Sequence, residues 1–307
     1  MAIVHVTREL PGDALQRIPD AGHQLVVRRE QMPPSPAELR RIAADADALI
    51  TTLADRVNAE LLDAAPRLKV VANYAVGADN IDVQAALRRD IAVGVTPDVL
   101  TDATADMTLA LLLSVARHIP VAARTVTDGA WKTWEPAGHL GLELRGARLL
   151  VVGPGRIGRA VGERAAAFGM DVTYAGRDAD LLAVLPDADV VTLHVPLSLD
   201  TRKLIGEAEL AAMKPGALLI NTARGGLVDQ DALVDALERG HLGGAGLDVT
   251  TPEPLPPHDP LLELPNVLVL PHIGSATVTA RHRMTELAVG NVLAALDGDP
   301  LPNPAKA

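Results

Sequence analysis

The stretch Leu149-Leu-Val-Val-Gly-Pro-Gly-Arg-Ile-Gly158 constrains this chain more than any other. An apolar run that reads as a buried strand meets three glycines spaced G-x-G-x-x-G. Arg159-Ala-Val-Gly-Glu-Arg-Ala-Ala-Ala-Phe168 follows, with helical composition and an apolar face, and Asp171–Ala175 reads as the next strand. Strand, glycine turn, helix and strand in that order form the setting of a dinucleotide-binding fingerprint. Gly153 permits the tight turn, Gly155 lets backbone N–H groups approach a pyrophosphate, and Gly158 lets helix and strand pack closely. The amino end of the following helix offers unpaired N–H groups and a partial positive charge to the anion, and Arg156 and Ile157 of the motif are expected to line the cofactor. A plain structural turn is the bland alternative, and the flanking elements speak against it.

The 307 residues suffice for two domains of ordinary size. Hydrophobic residues make up 48% but aromatics only 2%, so the core must be built from Ala, Val, Leu and Ile, as in parallel α/β sheets. A net charge of −11 argues against non-specific attraction to nucleic acid or an anionic membrane. Such a protein needs individually placed cations to hold an anionic ligand, which makes single arginines informative. Cysteine is absent, and there is neither a Cys/His cluster nor a His-Glu-x-x-His pattern, so no metal site is expected. Met1-Ala-Ile-Val-His-Val lacks the pattern of a secretion signal, and no apolar run approaches the ~20 residues of a membrane span. The expectation is a cytoplasmic protein.

From Ala2 to about Pro97 short β-like runs alternate with amphipathic helical runs. Strands are expected at Ile3–Thr7, Gln24–Arg28, Ala48–Thr51, Lys69–Asn73 and Ala92–Val95, and helices at Ser35–Ala44, Asn58–Ala65 and Val83–Arg89. Thr101–Ile119 reads as one long helix, apolar nearly all round, that a second domain or second subunit must cover. Gly129-Ala-Trp-Lys-Thr-Trp134 carries both tryptophans of the chain, which suit an interface or local packing equally. The second domain begins at about Ala147. It has further strands at Val190–Val195, Ala217–Asn221, Gly244–Asp248 and Val267–Leu270, and a last helix, Thr277–Leu296, that returns the chain to the first domain.

The end of the second strand of a dinucleotide fold selects the ribose: an acid suits the free 2′-hydroxyl of NAD, an arginine a 2′-phosphate. Here the strand runs into Gly176-Arg177-Asp178, which points to NADP, while the adjacent Asp178 keeps NAD open. Three further strand ends carry polar residues on the edge where open parallel sheets bind ligands. Arg224 stands between a buried strand and a glycine pair, and its planar fork suits a carboxylate. Glu253 lies in a proline-stiffened loop, and His272 sits just past a strand. A carboxylate bonded to one imidazole nitrogen fixes the tautomer and suits the ring to acid/base work. The other histidines outside the cofactor loops (His5, His23, His118, His139, His241, His258, His282) have no such setting.

Asn73-Tyr-Ala-Val-Gly-Ala-Asp-Asn-Ile-Asp82, Thr96-Pro-Asp-Val-Leu-Thr-Asp-Ala-Thr-Ala-Asp106, the glycine motif, the Arg224 and Glu253 segments and Pro271-His-Ile-Gly-Ser275 occur in one register over nearly the whole chain. In this it resembles the D-isomer-specific 2-hydroxyacid dehydrogenases, and is most similar to their glyoxylate/hydroxypyruvate reductases. The resemblance implies two Rossmann-like α/β domains with parallel sheets around a cleft. Residues 1–98 and 287–307 would form a flavodoxin-like substrate domain and 99–286 the dinucleotide-binding domain, with hinges near Val99 and Glu286. It implies a homodimer, a 2-oxo acid substrate, Arg224 as holder of its carboxylate and carbonyl, His272 as acid/base and Glu253 as the partner of His272. Backbone N–H groups at Val76 and Gly77 would bind the substrate carboxylate. Thr104, His194, Val195, Pro196, Thr201, Thr222, Ala223, Asp248, Gly274 and Ser275 would line the cofactor, with Asp248 near the nicotinamide amide. Glu253 stands where a formate dehydrogenase would have glutamine. Two departures from the pattern matter: Pro154 lacks an N–H that could meet a phosphate, and Gly176 replaces the acid frequent in NAD-dependent members. Two rival readings stand beside the reductase: an NAD-linked dehydrogenase for a bulkier 2-oxo acid, and a non-catalytic module that senses the dinucleotide.

Overall fold

A computed structural model describes residues 1–306. The chain divides into two compact units, residues 1–100 with 276 onward, and Thr101–Ser275. Both sheets are purely parallel, as the Val/Leu/Ile-rich strands predict.

In the first unit β1 (Ile3–Val6), β2 (Gln24–Val27), β3 (Ala48–Thr51), β4 (Val70–Asn73) and β5 (Ala92–Gly94) pair in the order β2-β1-β3-β4-β5, the flavodoxin-like arrangement. Leu49, Val71 and Val93 face helices Pro36–Ala44, Ala59–Asp63 and Val83–Leu87 in one apolar layer. The other face receives helix Val278–Asp297, which packs on β3, β4 and β5. That helix corrects the expected boundary at 287. It is a single 20-residue helix capped by Thr277, whose hydroxyl accepts the Ala280 N–H at 3.1 Å. Its buried residues, Ala280, Met284, Thr285, Ala288, Val289, Asn291 and Val292, all belong to the first unit. An unbroken hydrogen-bonded helix offers no hinge at Glu286, and the chain changes units at Ala276 instead. The front boundary, at Leu100, lies two residues beyond the expected one.

The second unit pairs β6 (Arg148–Val152), β7 (Asp171–Ala175), β8 (Val190–Leu193), β9 (Leu218–Asn221), β10 (Gly244–Leu247) and β11 (Val267–Val269) in the order β11-β10-β9-β8-β6-β7. Alternation along β6 sends Leu149 and Val151 to one apolar layer and Leu150 and Val152 to the other, both fully buried. The chain leaves β6 for β7 on one side and returns to β8 on the other. The carboxyl ends of β6 and β8 are therefore the topological switch point, where sheets of this kind bind ligands.

The long apolar helix is shorter than expected. It spans Thr101–Ala116 and is covered by elements of the domain expected from about Ala147, packing on helix Arg156–Ala167 and on β9, β10 and β11. Only Asp102, Asp106 and Ala110 are exposed, and the two aspartates pair with Arg164 at 2.9 and 2.6 Å. The helix stops at Ala116 because the chain returns to its end: Leu142 N–H donates to the Ala116 carbonyl at 2.8 Å, and His118 takes a left-handed φ of 51°. A second helix, Ile119–Thr127, then runs with no buried residue. No single helix among the described residues is long and apolar enough to cross a membrane.

Candidate active site

The glycine loop follows β6 at the switch point. Gly153 has φ +98°, and a Cβ there would sit 2.6 Å from the His194 carbonyl oxygen, so only glycine lets the ends of β6 and β8 approach this closely. A Cβ on Gly158 would fall 2.1 Å from the Gly153 carbonyl oxygen, which fixes how tightly helix Arg156–Ala167 sits on the turn. In front of Gly155, which caps that helix, a Cβ would meet nothing. Open space at the amino end of a 12-residue helix fits a pyrophosphate. Pro154 removes one donor from the loop, but its carbonyl accepts the Arg159 guanidinium at 2.9 Å, which brings a cation to the same place. Past β7, Ala175 is buried while Gly176, Arg177 and Asp178 are exposed, with open space at Gly176 and no carboxylate on the strand end itself.

His194 extends β8 by donating its N–H to Val152 at 2.7 Å. Its ring Nε2 is 2.9 Å from the Thr192 hydroxyl, and burial of the ring pushes its pKa down to about 4. The imidazole is therefore neutral at ordinary pH and contributes no charge to the phosphate region. In the following turn Thr201 donates its hydroxyl to the Pro196 carbonyl at 2.7 Å and accepts the Ser198 N–H at 2.8 Å, which shapes the loop after Val195.

Arg224 follows β9. Asn221, fully buried at the strand end, folds the loop over itself: its Oδ1 accepts the Ala223 N–H at 3.0 Å and its Nδ2 donates to the Arg224 carbonyl at 2.8 Å. Gly225 then passes so close to the Glu253 loop that a Cβ would lie 1.9 Å from the Thr250 carbonyl oxygen. Thr222 meets the Thr108 hydroxyl at 2.8 Å, and Thr108 is anchored in turn on the Thr104 carbonyl.

Glu253 and His272, 19 residues apart, meet: His272 Nδ1 lies 2.9 Å from Glu253 Oε2. The other carboxylate oxygen accepts the Thr250 N–H at 3.1 Å, so the acid is gripped at both oxygens. Gln230 takes the Thr251 N–H at 3.0 Å and steadies the same loop. Beneath His272, Asp248 acts as a clamp. Its two oxygens accept the N–H groups of Ile273 (2.7 Å) and Gly274 (2.6 Å), and its carbonyl accepts the His272 N–H at 3.0 Å. This lets His272 hold a left-handed φ of 55°. Burial raises the Asp248 pKa, and the two N–H bonds oppose that rise. Gly274 leaves its carboxylate room, since a Cβ would stand 3.0 Å from Oδ2 and 3.5 Å from Thr104 Cγ2.

The glycine loop, His194, Thr222, Arg224, Asp248, Glu253 and His272 thus all belong to the carboxyl edge of one sheet in the second unit. Val76 and Gly77 lie elsewhere, in the loop after β4 of the first unit, and their N–H groups have no acceptor among the described residues. Sequence reasoning missed Asn221, Gln230 and Thr108, which hold the loops. A buried asparagine at a strand end, three residues before Arg224, was the available signal for the first.

A family model for the NAD binding domain of D-isomer specific 2-hydroxyacid dehydrogenases matches residues 109–274. The chain belongs to that family. A glyoxylate reductase of Korarchaeum cryptofilum is 45% identical over 314 residues, covering 98% of this chain and 94% of the relative. A crystal structure of a protein from Thermus thermophilus superposes with a TM-score of 0.94 at 52% identity, covering 99% of this chain and 100% of the other. An NADPH-dependent glyoxylate/hydroxypyruvate reductase from Sinorhizobium meliloti, in complex with NADP and malonate, gives a TM-score of 0.86 at 33% identity, covering 99% and 96%. The chain is accordingly an NAD(P)-dependent oxidoreductase, and the open glycine loop is where its residues fit the dinucleotide.

Because His194 is neutral when folded but titrates near 6.5 when unfolded, protons favour the unfolded chain. Stability should fall as pH drops from about 6.5 toward about 4, by on the order of 2–3 kcal/mol from this residue. Urea midpoints across that range should lose this component in His194→Gln. An unchanged pH slope would mean that other groups carry the acid sensitivity.

Proposed function

We propose that the protein reduces a short 2-oxo acid, glyoxylate or hydroxypyruvate, to the D-2-hydroxy acid, with NADPH as the reductant. The observation that carries this reading is the Glu253–His272 hydrogen bond on the sheet edge that also bears the glycine loop and Arg224. A module that only bound the dinucleotide would have no need of a carboxylate–imidazole pair held this firmly. The relatives' glyoxylate reductase activity supports the substrate class.

When bound, the dinucleotide would supply the hydride that reduces the carbonyl carbon. Glycine-loop N–H groups, Arg159 and the lining residues Thr104, His194, Val195, Pro196, Thr201, Thr222, Ala223, Gly274 and Ser275 would hold it. Gly176 and Arg177 favour the 2′-phosphate of NADP, because the cation there has no competing strand-end acid. Arg224 receives the substrate's carboxylate and polarises its carbonyl, with the Val76 and Gly77 N–H groups binding the carboxylate. With Nδ1–H given to Glu253, His272 delivers a proton from Nε2 to the carbonyl oxygen, which removes charge as it develops. Asp248, whose oxygens already grip the His272 loop, keeps that ring in place and would face the nicotinamide amide. We also propose a homodimer through the segment from Ile119 to Leu140. There Ile119, Val126, Trp131 (65% exposed), Trp134 (79%) and Leu140 form an unburied apolar set.

Three measurements follow. His272→Ala should lower kcat by about 10²–10⁴ while NADPH affinity stays within about twofold, and retained turnover would place the proton donor elsewhere. Arg177→Glu should raise the KM for NADPH by about tenfold or more and leave NADH nearly unchanged. Equal effects on both cofactors would sink the NADP assignment and favour an NAD-linked enzyme. Light scattering should give a dimer mass for the native chain and a monomer mass for Trp131→Glu, and a monomeric native chain would end the dimer proposal.

A further inference from the structure

We propose that Asn73 and Asn80 are positioning residues that shape the substrate-carboxylate loop and turn a third backbone donor, the Ala78 N–H, toward the substrate. This rests on the reading that Val76 and Gly77 receive that carboxylate.

The argument is an account of where the backbone groups after β4 go. Tyr74 N–H donates to Thr51 at 2.7 Å, and Ala75 N–H turns back on the Asn73 carbonyl at 2.8 Å. The Ala75 carbonyl accepts the Thr96 N–H at 2.8 Å, and the Gly77 carbonyl accepts Asn73 Nδ2 at 2.8 Å. The Val76, Gly77 and Ala78 N–H groups have no acceptor among the described residues. Within a trans peptide the C=O and the next N–H point in opposite directions. Tying the Ala75 carbonyl inward therefore turns Val76 N–H outward, and tying the Gly77 carbonyl inward does the same for Ala78 N–H. Consecutive free donors at the protein surface make an anion-binding concavity.

The second of those ties depends on one side chain. Asn73 is fully buried, and its amide is oriented by its neighbours. Oδ1 accepts the Thr51 hydroxyl at 3.2 Å, and Nδ2 is shared between the Gly77 carbonyl and Asn80 Oδ1 at 2.9 Å. Asn80 is held in turn, donating Nδ2 to the carbonyls of Thr52 (3.1 Å) and Asp55 (2.9 Å) in the loop after β3. Asp55 Oδ2 fastens that loop to β1 and β3, accepting the Thr7 hydroxyl at 2.6 Å and the Thr52 N–H at 2.7 Å. The path from Thr7 to Gly77 lets the ends of three strands fix the loop after β4. Without the Asn73 donor, the Gly77 carbonyl is free to swing outward, taking Ala78 N–H away and presenting a negative dipole to the carboxylate.

The test is Asn73→Asp, which keeps the size and removes the donor, with Asn80→Ala as a second variant at a less buried position. Each is assayed with glyoxylate and NADPH, and each NADPH complex is titrated calorimetrically with oxalate. Both variants should raise the glyoxylate KM and the oxalate Kd by about tenfold or more, as loss of a charge-assisted bond predicts. Both should keep kcat within about threefold and the NADPH KM within about twofold. A fall in kcat with KM and oxalate Kd unchanged overturns the proposal. So does a parallel loss of NADPH binding and melting temperature, which would make the asparagines merely structural. If the native enzyme turns over no 2-oxo acid but its oxalate binding still falls in both variants, the loop assignment stands and the proposed reaction does not.

Discussion

The second unit depends on a single close approach, that of Gly153 to the His194 carbonyl. No side chain fits between them, so the ends of β6 and β8 come together and the chain can diverge from there to both sides of the sheet. The divergence opens the space before Gly155 and aims the helix Arg156–Ala167 at it. A second backbone approach, Gly158 against Gly153, sets the helix height. Both are steric constraints on backbone, and substitution at either glycine must move a strand or a helix, not merely a side chain.

At the other end of the same edge the constraint is polar. Loops after β9, β10 and β11 must satisfy their own backbone groups away from the sheet ladder, and they do so with Asn221, Asp248 and the Thr250–Glu253 contact. These bonds satisfy buried groups and also orient what the chemistry needs. One Glu253 oxygen is occupied by backbone, which leaves the other for His272. Asp248 anchors the His272 loop by two N–H groups, which makes a left-handed residue tolerable there. In the first unit the asparagines at 73 and 80 play a corresponding part for the loop after β4. Both units thus use short buried amides and carboxylates at strand ends to hold exposed loops still.

Much of this was legible in the chain. The β-strands announced themselves as Val/Leu/Ile runs because a parallel sheet buried on both faces has no polar side. The glycine motif was legible because each glycine answers a steric demand that no other residue meets. Arg224, Glu253 and His272 stood out as polar residues just past apolar strands. The end of the long helix was legible only in part: Pro120 has no N–H to give the Ala116 carbonyl, but nothing in the local sequence says what would. Leu142, 26 positions beyond Ala116, supplies the N–H that ends it. The 287 boundary failed because helical periodicity does not reveal which sheet a helix packs on.

The sequence by itself determined the order of the strands, the switch-point glycines and the residue types available for chemistry, because these follow from local sterics and the period of burial. Tertiary structure alone decided that Glu253 Oε2 meets His272 Nδ1, that Asp248 turns both oxygens onto the loop beneath His272, and that Asn73 reaches Gly77. Such pairings depend on how loops close over tens of residues. A hydrogen bond discriminates between partners over tenths of an ångström, a precision that only the packed sheet supplies.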